Sequence, residues 1–245
     1  LAVEPQLETL LAAASRPFLG AGIHAWQFAR WKLRLDPVFL TLLRRGCLPD
    51  GGRLLDVGCG QGVLLALLAA AREEYRQGRW PPGWPPPPLR LELHGVEQHP
   101  DRVWMAQRAL GDGARIAQCD VREADLPRCS AIAAFDLLLY LRPDEQERLL
   151  EKAAAALEPG GVLLLREADA AAGFAYRVTR WSAQAGAMGL NGLWPSLYCR
   201  SAREWAGALE RLGFSVSAEP VSAGTPFANV LFVARKPQAT ADKRR

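Results

Sequence analysis

Apolar positions recur along this chain in two rhythms. Over the first 45 residues they keep helical spacing: Leu7, Leu10 and Leu11, then Phe39, Leu40, Leu42 and Leu43 before Gly46. That spacing predicts two or three helices across residues 4–45. Residues 23–37 between them mix aromatic and basic side chains. From residue 53 onward, short apolar runs alternate with helical stretches. Strands are expected at 53–57, 90–96, 115–119, 130–135 and 162–166, with helices after Gly62, at 101–110 and at 143–157. Pro143 at an early helical position, followed by Asp144 and Glu145, suits a helix start. Glu158-Pro159-Gly160-Gly161 predicts its stop and a turn. A last helix at 202–212 leads to strands at 214–220 and 229–234, whose short linker predicts an antiparallel pair. Two stretches break the rhythm. Residues 79–88 carry Trp80 and Trp84 among six prolines and read as an insertion loop, because proline lacks the ladder donor. Residues 170–200 are rich in aromatics and read as a lid-like insertion.

Strands alternating with helices call for a mostly parallel sheet covered on both faces. Chemistry in such a sheet gathers at the carboxyl ends of the strands. Leu54-Leu55-Asp56-Val57-Gly58-Cys59-Gly60-Gln61-Gly62 is a buried strand, a tight glycine turn and a helix start. Its glycines remove side chains where a ligand approaches the backbone and where helix meets sheet. By mechanism alone this is a nucleotide-type cradle, and several ligands remain open. Strand two ends at Glu97, where a carboxylate can accept both hydroxyls of a ribose. Strand three ends at Asp120-Val121, a carboxylate and an apolar neighbour suited to a purine.

These motifs resemble the class I S-adenosylmethionine-dependent methyltransferases of the small-molecule type, over about residues 50–167. Val57-Gly58-Cys59-Gly60 after an Asp is a common form of their glycine loop. Phe135-Asp136-Leu137-Leu138-Leu139-Tyr140-Leu141 is similar to their motif after strand four, and Leu157-Glu158-Pro159-Gly160-Gly161 is another recurrent feature. The wider pattern is similar to bacterial members acting in secondary or lipid metabolism. The resemblance implies an α/β fold: a Rossmann-like, seven-stranded, mostly parallel sheet with helices on both faces, plus an N-terminal helical cover. It divides the chain into the cover (1–48), the methyltransferase domain (49–236) and a basic tail (237–245). It implies S-adenosyl-L-methionine as cofactor, held by Asp56, Gly58, Cys59, Gly60, Gly62, Glu97, Gln98, Asp120, Val121 and Asp136. The glycine loop would follow the methionine moiety, Glu97 the ribose and Asp120 the adenine amine. Asp56 would organise the loop or contact the amino group. One departure is Leu139, where the family often has histidine; an apolar residue there argues against a general base from this loop.

Methyl transfer from a sulfonium needs alignment and exclusion of water more than covalent help, so pocket residues outweigh any triad. His24, Glu167 and Asp169 are the candidate bases, and either acid could instead cap the next segment. Trp26 and Arg30 from the cover, Tyr140, and Tyr176, Trp181 and Trp194 from the insertion are candidate substrate contacts, although both elements could equally pack on flanks. The expected acceptor is a small or lipid-like molecule methylated at oxygen or nitrogen. An RNA acceptor is the alternative, but no N-P-P-Y-type segment follows strand four and no catalytic cysteine pair or basic nucleic-acid module is visible. A non-catalytic binding module of the same fold is a further alternative, opposed by the intact glycines and strand-end acids.

Composition narrows this little further. In 245 residues, 49% apolar and 23% charged residues are those of a globular chain. The formal charge of +4 owes part to Lys243-Arg244-Arg245, so no nucleic-acid partner is called for. Cys47, Cys59, Cys119, Cys129 and Cys199 have no metal-site spacing, and no metal is expected. Five thiols without a leader-like start or a membrane-length apolar run predict a cytoplasmic protein, monomer or homodimer.

Overall fold

The computed structural model describes residues 5–191 and 195–238, so Trp194 and most of the basic tail lie outside the described residues. Seven strands form one sheet: β1 (Gly51–Val57), β2 (Arg90–Glu97), β3 (Arg115–Gln118), β4 (Cys129–Phe135), β5 (Leu157–Ala168), β6 (Ser215–Pro220) and β7 (Asn229–Arg235). Their order is β3-β2-β1-β4-β5-β7-β6. The first five run parallel, and β7 is antiparallel to both β5 and β6. The strand order reverses at β1, where chain crossovers diverge to opposite sides and open a crevice at the carboxyl ends. The expected antiparallel pair is present, with β7 inserted beside β5.

Among the described residues, eight α-helices accompany the sheet: α1 (Pro5–Ser15), α2 (Ile23–Leu35), α3 (Val38–Arg45), α4 (Val63–Arg76), α5 (Pro100–Leu110), α6 (Pro143–Ala156), α7 (Gly173–Asn191) and α8 (Ala202–Arg211). Every residue of α4 from Val63 to Leu68 is buried, because the sheet lies on one side and α1 on the other. Leu10, Leu11, Ala14 and Phe18 therefore share one apolar cluster with Leu64, Leu67, Leu91 and Leu164. On the opposite face, Leu149, Leu150, Trp205 and Leu209 pack against Leu55, Ile132, Leu163 and Phe232.

The expected turn at residues 158–161 is not a turn. β5 starts at Leu157, directly after α6, and Cys129 pairs with Leu157 before the register shifts to Ala131 with Val162. The extra residues are absorbed as an irregularity at the sheet's amino edge, where Gly160 N donates to Lys236 O at 3.1 Å. In the insertion loop, Trp80 and Trp84 meet edge to face at 5.9 Å, and the Arg44 guanidinium lies 5.0 Å from the Trp84 ring centre. The 170–200 insertion comprises α7 and an extended return. Its end is pinned by Arg200, which donates to Gln146 Oε1 at 2.7 Å and Glu147 Oε1 at 2.6 Å.

Candidate active site

The glycine turn hangs from the second strand: Gly58 N and Cys59 N both donate to Val96 O, at 2.9 and 3.0 Å. Gly58, Gly60 and Gly62 all have positive φ, which side-chain-bearing residues rarely adopt. Their surroundings differ. A Cβ on Gly58 would lie 2.9 Å from Leu137 Cδ1, whereas one on Gly60 meets nothing within 4 Å. Gly58 is therefore glycine for packing, and Gly60 opens onto the crevice. Gln61, which the motif reading passed over, is buried and donates to Ala25 O at 3.2 Å, fastening α2 to the loop.

Two acids stand beside the turn. Glu97 is buried and accepts from Gly60 N at 3.0 Å and from His99 N at 2.9 Å, so it ties the loop to the start of α5. Asp56 is 4% exposed, and no described residue donates to its carboxyl. Burial, and then the neighbouring Glu97 charge, raise its pKa to about 7. A buried carboxyl without a donor, next to a glycine facing open space, matches a ligand that carries ammonium and hydroxyl groups. The Cys59 thiol, also in the turn, is pushed well up by burial and stays protonated.

The carboxyl end of β3 is arranged differently. Asp120 accepts Arg122 Nε at 3.0 Å and Arg122 Nη2 at 2.5 Å, and this pairing holds its carboxyl below the usual range. Val121 beside it is buried, and Gln98 is exposed next to His99. Asp136 sits at the end of β4 with φ of 54°, unusual for a residue with a side chain. Its carboxylate is engaged by Arg166 and, at 3.4 Å, by Lys32 of α2. Arg166 also binds Asp36, which Lys32 approaches to 2.9 Å. Two cations and two carboxylates thus join the N-terminal cover to the ends of β4 and β5. Nothing in the local sequence around Arg166 signalled that arrangement, since its partners lie 130 and 30 residues away.

On the neighbouring strand end, Glu167 is buried and accepts from Leu138 N at 2.7 Å. Burial raises its carboxyl to about 8. Tyr140, two residues beyond Leu138, donates to Ala183 O of α7 at 3.3 Å. The Tyr176 hydroxyl of α7 lies near the Cys199 thiol, and burial raises both. Cys199 was read only as a thiol; its place in this group depends on the extended return, where Tyr198 N donates to Leu139 O at 2.8 Å. Asp169 has a different position. Its carboxylate accepts from Ala171 N and Ala202 N, both at 2.9 Å, and so caps the segment entering α8. His24 and Trp181 lie on exposed helix faces, and Trp26 is half-buried with the Arg30 guanidinium 5.2 Å from its ring centre. The structure therefore brings Asp56, the glycines and Glu97 into one group and Tyr140, Glu167 and Tyr176 into another. His24, Asp169 and Trp181 join neither.

A family model described as a methyltransferase domain matches residues 25–219. Among curated proteins, the carboxy-S-adenosyl-L-methionine synthase of Chromohalobacter salexigens is 32% identical over 133 residues, which cover 52% of this chain and 44% of that protein. Its counterpart from an Enterobacter species is 25% identical over 133 residues, 52% of this chain and 48% of that protein. The chain spans about half the length of the curated relatives it matches. An O-methyltransferase family protein from Burkholderia thailandensis superposes with a TM-score of 0.62 at 14% identity, over 89% of this chain and 60% of that one. The magnesium protoporphyrin IX methyltransferase of Synechocystis PCC 6803 with bound SAH gives 0.58 at 18% identity, over 91% and 93%. At such identities these structures speak for the fold. The family match is continuous through the glycine turn, both acidic strand ends and α7, and so this chain belongs to the methyltransferase domain family, enzymes that work with S-adenosylmethionine.

Proposed function

We propose that the chain transfers a methyl group from S-adenosylmethionine to an oxygen or nitrogen of a small or lipid-like acceptor seated beneath α7. The observation that carries this is Glu167: a buried carboxyl at a strand's carboxyl end, beside Tyr140 and Cys199, with Tyr176 next to Cys199. In this reading Gly58, Gly60 and Gly62 follow the methionine moiety, Asp56 meets the amino group and Glu97 the ribose. Asp120 and Val121 border the adenine. The bound sulfonium supplies the activated methyl carbon. This chain's residues align the acceptor, exclude water and handle its proton. Leu138 N donates to one Glu167 oxygen and so orients the carboxyl, and in this reading Glu167 takes the acceptor's proton.

Isothermal titration is expected to show one S-adenosylmethionine site per chain. Glu97→Ala should weaken it by about 1.5–3 kcal/mol, the range for a hydrogen bond to a charged group. An unchanged dissociation constant would place the ribose elsewhere. A methyl-transfer assay across phenols, carboxylic acids, amines and transfer RNA then tests the acceptor. Product from RNA alone would overturn the small-acceptor reading.

A second reading is favoured by the sequence match to carboxy-S-adenosyl-L-methionine synthases. There the cofactor itself would be modified. Mass spectrometry of the cofactor pool separates the two: S-adenosylhomocysteine with a methylated acceptor supports the first, a carboxylated S-adenosylmethionine the second.

A further inference from the structure

Helix α2 has two apolar faces. Ala25, Ala29 and Leu33 are buried against the molecule, while Phe28, Trp31 and Leu35 are 54%, 60% and 61% exposed. The exposed three lie at i, i+3 and i+7, adjacent on one side of the helix. Helix α7 repeats the design: Phe174, Trp181 and Met188, seven residues apart, are 75%, 65% and 48% exposed. Solitary exposed apolar residues are ordinary on a protein surface; rows of three repeated on two helices are not. Both helices bear on the same loop, α2 through the Lys32–Asp136 contact and α7 through the Tyr140–Ala183 hydrogen bond. The two helices that carry the rows therefore both adjoin the loop at the carboxyl end of β4, beside the candidate active site.

Charge indicates what covers them. α2 carries Arg30, Lys32 and Arg34 and no acidic residue between Ile23 and Leu35, and α7 carries Arg177 and Arg180 and no acidic residue between Gly173 and Asn191. Lys32 and Arg34 have carboxylate partners within the chain, whereas Arg30, Arg177 and Arg180 have none among the described residues. A two-fold contact between copies of this face would set uncompensated cations against cations. Aromatic and aliphatic side chains rimmed by arginine instead match the boundary of an anionic bilayer, where rings enter the headgroup region and guanidinium groups meet phosphates. No helix among the described residues is long and apolar enough to cross a membrane, so the contact is peripheral.

We propose that the exposed faces of α2 and α7 seat the protein on anionic phospholipid membranes, with the mouth of the active site toward the lipid. The seating goes beyond the methyl-transfer reading and is measured without catalysis, so either can fail alone. The test is co-sedimentation of the full chain with vesicles of phosphatidylcholine, with and without phosphatidylglycerol. Binding is expected only to the anionic vesicles and should fade as salt is raised. Phe28→Ser with Leu35→Ser should reduce the bound fraction by about tenfold or more, as expected when interfacial apolar area is lost. Arg177→Glu with Arg180→Glu should do the same, and S-adenosylmethionine titration should show that the α2 variant remains folded. No binding to anionic vesicles would overturn the proposal, as would equal binding to both kinds. A dimer that light scattering detects, and that Phe28→Ser with Leu35→Ser dissolves, would assign the face to a second copy instead.

Discussion

Within the cradle, the three glycines are not equivalent, and substitution should separate them. At Gly60 a methyl group meets no protein atom, so Gly60→Ala should lose only the cost of a left-handed alanine, about 1–2 kcal/mol. Its methyl would enter the crevice, and S-adenosylmethionine affinity should fall well beyond the loss of stability. Gly58→Ala adds a collision with Leu137, so its main effect should be on the melting temperature, with a further cost of about 1–3 kcal/mol. Calorimetry of both variants checks the contrast, and equal losses of affinity and stability in the two would contradict it. Glu167 is the other residue with a distinct signature. Because burial lifts its carboxyl to about 8, it is mostly protonated at neutral pH and ionises as the pH rises through about 8. In the proposed role of base, it should make kcat/KM rise with pH through about 8 and level off beyond. Glu167→Gln keeps the acceptor for Leu138 N, so it should fold, lose the alkaline rise and slow turnover by roughly 10²–10⁴-fold. A wild-type profile that is flat from neutral to alkaline pH would exclude this role.

Between elements, the ion cluster of Lys32, Asp36, Asp136 and Arg166 decides how the N-terminal cover meets the sheet. Burial works against the Asp36 charge, yet Arg166 and Lys32 together hold its carboxyl below the ordinary range. For Lys32, burial and the Arg166 charge lower the ammonium's pKa despite Asp36. The carboxylates depend on Arg166, whose side chain is 2% exposed. Arg166→Met leaves two carboxylates facing one lysine at a partly buried junction. It should destabilise the protein by about 3–5 kcal/mol, the range for breaking a buried pair from one side. Adding Asp36→Asn should recover part of that loss. Urea unfolding of the single and double variants gives the coupling, and simple additivity would show that the contact is not an energetic unit.

Across the whole molecule, the N-terminal helices are part of the core and not an appendage, because α1 closes the outer side of α4. A chain starting at residue 49 would expose Leu64, Leu67 and Leu68 together. It is expected to bind hydrophobic dyes and to lose its cooperative unfolding transition. A sharp transition retained by the shortened chain would show that the sheet domain folds without the cover. The division at residues 48 and 49 marks where helices give way to strands, and says nothing of which surfaces the two parts share.

What the sequence by itself determined was local and periodic. The seven strands, the helices other than α7 and the glycine turn follow from apolar spacing within windows of about ten residues and from glycine's tolerance of positive φ, both properties of neighbouring residues. The positions of the acids at residues 56 and 97 were legible for the same reason, since Asp56 stands one residue before the end of β1 and Glu97 is the last of β2. The irregular start of β5 was not, because Pro159 and Gly160 read as a turn until Cys129 supplies a pairing partner across the sheet. The tertiary structure alone decided that Arg166 meets Asp36 and Asp136, that Cys199 meets Tyr176, and that Asp169 caps while Glu167 is buried. Burial and long-range pairing depend on how distant segments pack, and the same carboxylate is a helix cap in water or a candidate base in an apolar wall according to what the fold places around it.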